Sequence, residues 1–422
     1  MDDTGEIRGR IKSLQDTQAM LGNTLKSLKV SQERLQTAVK AAKSETAAFR
    51  YGKLKLHGLG SLAYSSLQRG MLYFMREDLG YLCYVPLSDG PDSVLVLADP
   101  ICAPASMRQL LTEFLTVKRD PVFIHISHDT AAVLNELGFH VNELGVETFI
   151  EIQKFDLVGN KKQQLRNARN GARKDGLTVV EVNAVDNMMI KALREISDSW
   201  MKEKVAGSSE MQLLVRPLVY VDEVDVRKFV ALKDGEIVGF VIFDPMYEEG
   251  EVVGYIANQL RSNFERTYSV VDFIILEALD VFKAEGKREI SLGLSPMYKV
   301  DDSGEFKHSK LLKSYFQYSF EKANYVYNFK SLARHKSLYR PELPGAREEK
   351  VYCAMHERFM LTRMLDVVHT LGLHPIRQAL RHYLTLAVLW VKTLFTPQKP
   401  QAPDKAPAAK TTGSAPEEAS SK

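Results

Sequence analysis

The chain has 422 residues, more than one ordinary domain holds, so two folded units with appendages are expected. An apolar share of 45% and a charged share of 26% fit a soluble globular protein with a sizeable core, and a net charge of +3 gives no global argument for a nucleic-acid partner. Cys83, Cys102 and Cys353 make no CxxC pair and no zinc spacing, which excludes a disulfide framework and favours buried structural thiols in a reducing compartment.

The polar, acidic start MDDTGEIRGRIK lacks the apolar core of a secretory signal. Between residues 5 and 42 the spacing turns regular. Ile7, Ile11, Leu14, Gln18, Leu21, Leu25, Leu28, Gln32, Leu35 and Val39 recur four and three apart. This heptad pattern predicts a coiled coil over 1–45 and a homo-oligomer through 5–42, with a long helix packed on its own domain as the alternative. From 50 to 155 the texture is mixed. LYFMRE, GYLCYVPL and SVLVLADP read as strands, 107–118 as a helix, PVFIHIS as a strand, HDTAAVLNELGF as a helix ending at Gly138, and VETFIEI as a strand.

A second unit is expected over 156–350. It opens with the basic helix KKQQLRNARNGARKDG and the amphipathic helix VDNMMIKALREISDSWMKEK. Next comes a hairpin turning at Asp234-Gly235, then the strand EVVGYIAN. A helix over 269–285, the strand REISLGLSP and the helix HSKLLKSYFQYSFEKA complete it. This order suits a GNAT-type sheet splayed around an acyl-transfer cleft, and the first unit is similar in content. The expected fold class is therefore α/β (α+β): tandem GNAT-like domains behind an N-terminal coiled-coil helix. Residues 374–396 read as an apolar helix whose Arg377, Arg381 and Lys392 suit a membrane surface, with the contact expected through 376–395. No stretch reaches the ~18 apolar residues that a membrane-spanning helix needs. The Pro- and Ala-rich 397–422 should be disordered.

Several segments in consistent order resemble the C-terminal catalytic region of the phosphatidylglycerol lysyltransferases, also called multiple peptide resistance factors. They are LVLADPI (95–101), LGFHVNELGVETFIEI (137–152), KKQQLRNARNGARKDG (161–176), ISDSWMKEK (196–204), NQLRSN (258–263), VVDFIILEALDVFKAEG (270–286), ISLGLSPM (290–297) and YNFKSLARHKSLYRPE (327–342). The resemblance implies a tandem GNAT-like fold that takes an amino acid from aminoacyl-tRNA and places it on a lipid or other hydroxyl. It covers roughly 55–345, with a coiled coil where the familiar members carry a membrane flippase module. Two motifs depart from the family's. Its Asp-Leu-Met-Arg reads Asn258-Gln259-Leu260-Arg261, and its Tyr-Lys-x-Lys-Phe reads His335-Lys336-Ser337-Leu338-Tyr339. Both departures bear on the acceptor and on whether activity is kept.

Transfer from an activated ester needs positioning, donors for the developing oxyanion and a group that takes the acceptor's proton. The candidates are Arg261 at the cleft mouth, Asn258 as an orienting amide, Asp272 and Glu210. Asp272 also reads as part of a helix cap begun by Ser269. Lys162, Arg166, Arg169 and Arg173 form one helical stripe that could track tRNA phosphates, with Lys336 as a further phosphate contact; a solvated charged face is the alternative. No HExxH, P-loop, GxGxxG or GxSxG occurs, so neither a metal nor a cofactor is expected. The function expected is an aminoacyltransferase acting on a phosphatidylglycerol-like lipid or a small-molecule hydroxyl. The alternatives are an acyl-CoA-dependent acyltransferase and a non-catalytic adaptor with a degenerate transferase fold. A CoA site would need a glycine-rich turn, and the connection RSNFERTYS (261–269) has no glycine. The expected location is the cytoplasm, with a peripheral place on the inner face of the cell membrane.

Overall fold

The computed structural model describes residues 45–373, apart from 89, 183–186, 205–210, 220, 264–267 and 357–359, together with Lys29 and Gln32. The expected coiled-coil seam, the helix over 374–396, the tail over 397–422 and Glu210 therefore lie outside the described residues, save for Lys29, Gln32 and residue 45. No helix of the described residues is long and apolar enough to cross a membrane.

Residues 45–57 are helical (α1). A three-stranded antiparallel run follows: β1 (Leu72–Arg76), β2 (Gly80–Pro86) and β3 (Ser93–Leu97), with the short β4 (Ile101–Cys102) beside β2. Then come α2 (Met107–Val117), β5 (Asp120–Ile126), α3 (His128–Glu136) and β6 (His140–Glu151). The second half runs α4 (Gln163–Lys174), β7 (Thr178–Val182), α5 (Asn187–Lys204), β8 (Arg227–Lys233), β9 (Glu236–Glu248) and β10 (Glu251–Ser262). It ends with α6 (Val270–Ala284), β11 (Glu289–Pro296), α7 (Lys310–Lys322), α8 (Phe329–Ser337), β12 (Ala346–Met355) and α9 (Met360–Thr370). The β8–β9 hairpin turns where expected, with Asp234 at φ 53° and Gly235 at φ 85°, the left-handed pair a tight hairpin requires.

All these strands join one sheet, ordered β1-β2-β3-β5-β12-β6-β11-β10-β9-β8-β7. The order has internal symmetry. An antiparallel meander (β1-β2-β3, and again β8-β9-β10) meets a parallel partner (β5, and again β11). Each half then hands its last strand to the other: β6 pairs antiparallel with β11, β12 pairs antiparallel with β5, and β6 and β12 pair with each other at the centre. This is a tandem GNAT-like α/β fold with its halves stitched into a continuous sheet. The boundary expected at 350 falls inside β12, a strand that sits among those of the first half.

Burial on both faces explains the apolar strands. Along β3, Val94 and Val96 enter a core with Phe114, Phe123 and Phe139, while Leu95 and Leu97 enter the opposite core with Met360, Met364 and Val367 of α9. This is the period-two alternation of a pleated strand. In the second half, Phe229, Phe243, Tyr255 and Phe282 interlock edge-on and stacked beneath α6. Each such buried ring is worth about 1.5–3 kcal/mol of apolar transfer.

Candidate functional site

β10 and β11 pair in parallel over only three positions, Gly254↔Glu289, Tyr255↔Ile290 and Ile256↔Ser291. Beyond them β10 stays with β9 while β11 turns to β6, so the two strands part. A bulge marks each side of the parting. On β10, Asn258 is the extra residue between Ala257↔Phe243 and Gln259↔Ile242. On β11, Leu292 and Gly293 together face one β6 residue between Ser291↔Phe149 and Leu294↔Glu147. Bulges bend strands and re-aim side chains. The gap they open is a cavity of about 620 Å³. Its walls come from Asn258, Gln259, Leu260 and Ser262 of β10, Leu292 to Leu294 of β11, the N-terminal turn of α6, His335 and Lys336 of α8, and Trp200 of α5.

Lys336 is the cation inside this cleft. It is 5% exposed, and its Nζ donates to the Leu294 carbonyl at 2.5 Å. Gly293 beside it holds φ 76°, a left-handed conformation that favours glycine, and a Cβ there would meet Lys336 Nζ at an ordinary contact distance of 3.6 Å. Burial pushes the Lys336 pKa down to about 7, against the pull of Glu147.

The helix that carries Lys336 is held by Asp272. One carboxylate oxygen of Asp272 accepts from the Tyr339 hydroxyl at 2.7 Å and lies 2.7 Å from His335 Nε2. Burial alone would raise the Asp272 pKa, but the facing imidazole and these hydrogen bonds outweigh it and hold the carboxyl below its usual range. In return, Asp272 raises His335 against the opposing effect of burial. The Asp272 amide donates to Ser269 Oγ at 3.2 Å, the expected cap. Asp272 thus anchors α8 to α6 and is absent from the cleft wall.

The other expected residues are distributed differently. Asn258 does line the cleft; its Oδ1 accepts from the Arg216 amide at 3.1 Å, while its buried Nδ2 has no hydrogen-bond partner. Arg261 faces away from the cleft. It donates to Ser197 Oγ and lies 5.1 Å from the Trp200 ring centroid, behind the indole that forms the wall. The stripe at α4 departs from expectation, because each of its cations has a partner within the protein, though Arg173 stays exposed. Lys162 is buried over Phe155 and donates to the Asp156 carbonyl at 2.9 Å. Arg166 donates to the Leu157 and Gly159 carbonyls at 2.5 and 2.6 Å. Arg169 pairs with Glu277 and Asp280, and Arg173 with Glu277. Arg169 and Arg173 fasten α4 to α6, while Lys162 and Arg166 tie the start of the helix to the preceding 156–159 segment.

Sequence reasoning passed over three groups. Arg216 is buried and clamped, with Asp244 accepting from Nε and Nη2 at 3.1 and 2.6 Å and Glu223 from Nη1 at 2.5 Å. Its carbonyl accepts from Gln259 Nε2, so Arg216 fixes the cleft wall from behind. Trp200 was quoted only as part of a motif. The third group is His125, which lines the cleft, with Glu147 and Ser291, which do not. Ser291 donates to Glu147 Oε1, and His125 Nε2 lies 3.7 Å from Glu147 Oε2. A His–Glu pair on β5 and β6 has no local sequence signature. The three cysteines are buried and free, and burial pushes Cys83 up to about 12 and Cys102 up to about 11, far from thiolate reactivity.

A second cavity, of about 1120 Å³, opens at the equivalent place in the first half, past the ends of β3 and β5. Charged side chains from β6, β11 and β12 enter its wall, among them Glu147, Glu289, Arg347 and Lys350. Leu62 and His125 border both cavities.

Comparison with known proteins agrees with this fold. A family model described as phosphatidylglycerol lysyltransferase, C-terminal, matches residues 53–354. The phosphatidylglycerol lysyltransferase of Bacillus subtilis (strain 168) is 25% identical over 263 residues, which is 60% of this chain and 29% of that protein. The phosphatidylglycerol lysyltransferase of Staphylococcus aureus (strain MRSA252) is 22% identical over 256 residues, 59% of this chain and 29% of that protein. The match therefore spans less than a third of these relatives' length. Among solved structures, L-PGS from Bacillus licheniformis superposes with a TM-score of 0.62 at 18% identity, covering 76% of this chain and 95% of that one. A lysylphosphatidylglycerol-synthetase-type C-terminal domain from Agrobacterium fabrum gives 0.60 at 20% identity, covering 77% and 95%. At these identities the superpositions establish the shared fold.

Proposed function

The chain belongs to the phosphatidylglycerol lysyltransferase C-terminal family, and on that footing we propose that it transfers an amino acid from aminoacyl-tRNA to a hydroxyl of a phosphatidylglycerol-like lipid or small molecule. The observation that carries the reading is the cleft between β10 and β11, with a buried lysine at its inner end. An aminoacyl ester already carries its activation, so the protein's task is to hold the ester, shield it from water and stabilise the oxyanion as the acceptor attacks. Lys336 Nζ and the unpartnered Nδ2 of Asn258 are donors for that oxyanion. At a pKa of about 7 the lysine carries an N–H whether charged or neutral. The N-terminal turn of α6 also faces the cleft and favours negative charge there. Trp200, backed by Arg261, closes one wall and excludes water.

The reaction joins the acceptor oxygen to the ester carbonyl carbon and breaks the bond from that carbon to the tRNA ribose oxygen. The acceptor's proton ends on the ribose oxygen. An acyl-CoA donor is disfavoured because the β10–α6 connection carries no glycine to let its backbone close on a pyrophosphate. The test is incubation of the purified protein with radiolabelled aminoacyl-tRNAs and a lipid extract, with a ribonuclease-treated parallel. Ribonuclease-sensitive label in the lipid or metabolite fraction supports the reading. Calorimetric binding of acyl-CoA without tRNA binding at low salt overturns it.

A further inference from the structure

The two parallel strand pairs open by the same device, a bulge on the strand that turns toward the sheet centre. On β5 the extra residue is His125, between Ile126↔Tyr352 and Ile124↔Cys353. The bulge shows in the packing. Val122 and Ile124 enter one core and Phe123 the other, yet Ile126 joins Phe123 where unbroken alternation would send it to the side of Ile124. The counterpart bulge on β11 holds its left-handed residue as a glycine, Gly293 at φ 76°. His125 takes the same kind of conformation, φ 58°, with a full side chain. Left-handed backbone is uncommon outside glycine, and where it persists it concentrates at functional sites.

Three further facts make this histidine unusual. It is 7% exposed. Its buried Nε2 has no hydrogen-bond partner. It lines both cavities, the cleft and the larger space of the first half. Glu147 Oε2 stands 3.7 Å from that nitrogen, and Ser291 holds the other carboxylate oxygen. A carboxylate that faces one imidazole nitrogen orients the ring and leaves the other nitrogen to take and return a proton.

We propose that His125 is the proton carrier of the transfer reaction, with Glu147 as its positioning residue. The proposal rests on the aminoacyl-transfer reading and supplies the one group that reading lacks. As the acceptor hydroxyl oxygen bonds to the ester carbonyl carbon, its proton passes to His125 Nδ1, the ring nitrogen that does not face Glu147. When the tetrahedral oxyanion collapses and the carbon–ribose oxygen bond breaks, the imidazolium returns the proton to the ribose oxygen. The proton balance closes, and no co-reactant is required.

The test uses the full chain with His125→Gly, which fits the left-handed backbone and leaves an imidazole-sized space, and His125→Asn, which tolerates that backbone but cannot carry the proton. Turnover of His125→Gly should fall about 100-fold. Its affinity for aminoacyl-tRNA should be unchanged, and added imidazole should restore much of the rate. His125→Asn should be equally slow and insensitive to imidazole. Wild-type turnover in either variant overturns the proposal. So does a folded but slow glycine variant that imidazole does not rescue, since that marks a structural role. If the glycine variant fails to fold, His125→Asn decides: slow with unchanged melting and tRNA affinity supports the proposal, and wild-type turnover overturns it. A wild-type protein that transfers nothing overturns the transfer reading and the role of His125 with it. An active wild type with fully active variants overturns the role of His125 alone.

Discussion

The two strand forks share one topology and differ in what fills the bulge. In the second half the bulge ends in Gly293, and the room it leaves is occupied by Lys336 arriving from α8. In the first half the bulge is His125, and the side chain comes from the strand itself. A duplicated fold thus supplies two frameworks that place different groups, a lysine and a histidine, on either side of Glu147. Glu147 lies 3.7 Å from the imidazole, accepts a hydrogen bond from Ser291, and opposes the larger effect of burial on Lys336. Duplication therefore does not mean two equal sites; it sets two halves around one.

The largest effect that would sharpen this contrast is at the lysine. Lys336→Met should lower turnover about 100-fold or more, the usual consequence of losing an oxyanion donor. It should also alter how stability depends on pH. The folded pKa of about 7 lies below the ordinary 10.5, so between those values only the unfolded chain holds the proton. Wild-type stability should therefore climb as pH rises through that window and be lowest below pH 7. Denaturant melts of Lys336→Met should lack this climb, and an identical profile in the two proteins would break the contrast.

The next effect concerns what holds the lysine in place. Asp272→Ala leaves His335 and Tyr339 without their shared acceptor, and should cost about 3–5 kcal/mol in urea unfolding. Gly293→Ala tests the bulge itself. A side chain in that left-handed backbone should cost about 1–2 kcal/mol. Turnover should fall as well, because relieving that strain moves the bulge on whose Leu294 carbonyl Lys336 rests. The smallest effect is expected on α4. Arg173→Ala should shift stability by no more than about 0.5 kcal/mol. It should leave the salt dependence of tRNA binding unchanged, and a shallower slope would return the stripe to the nucleic-acid surface.

The legible parts of the fold were those with local signals. The Asp234-Gly235 turn, the Ser269 cap and the periodicity of α6 could be read from neighbouring residues, and the structure has all three. β12 could not, because its charged start, AREEK, does not read as a central strand. Its place between β5 and β6 follows from long-range pairing. Asn258 and Lys336 entered through motif resemblance and do line the cleft. Arg261 entered the same way but turns toward α5, since residue identity does not fix which way a side chain beside a bulge will point. The α4 stripe illustrates the converse. Its spacing is legible, but the acceptors for Arg169 and Arg173 sit a hundred residues away on α6. His125 gave no signal because its meaning lies in its backbone conformation and in a carboxylate from another strand.

The central claim is that the cleft between β10 and β11 handles the aminoacyl group. Its most direct test is a crystal structure of the protein with a non-hydrolysable aminoacyl-adenosine amide in place of the charged tRNA end. The account predicts the aminoacyl carbonyl oxygen within hydrogen-bond reach of Lys336 Nζ and Asn258 Nδ2. An analogue bound elsewhere, with the cleft empty, would contradict it.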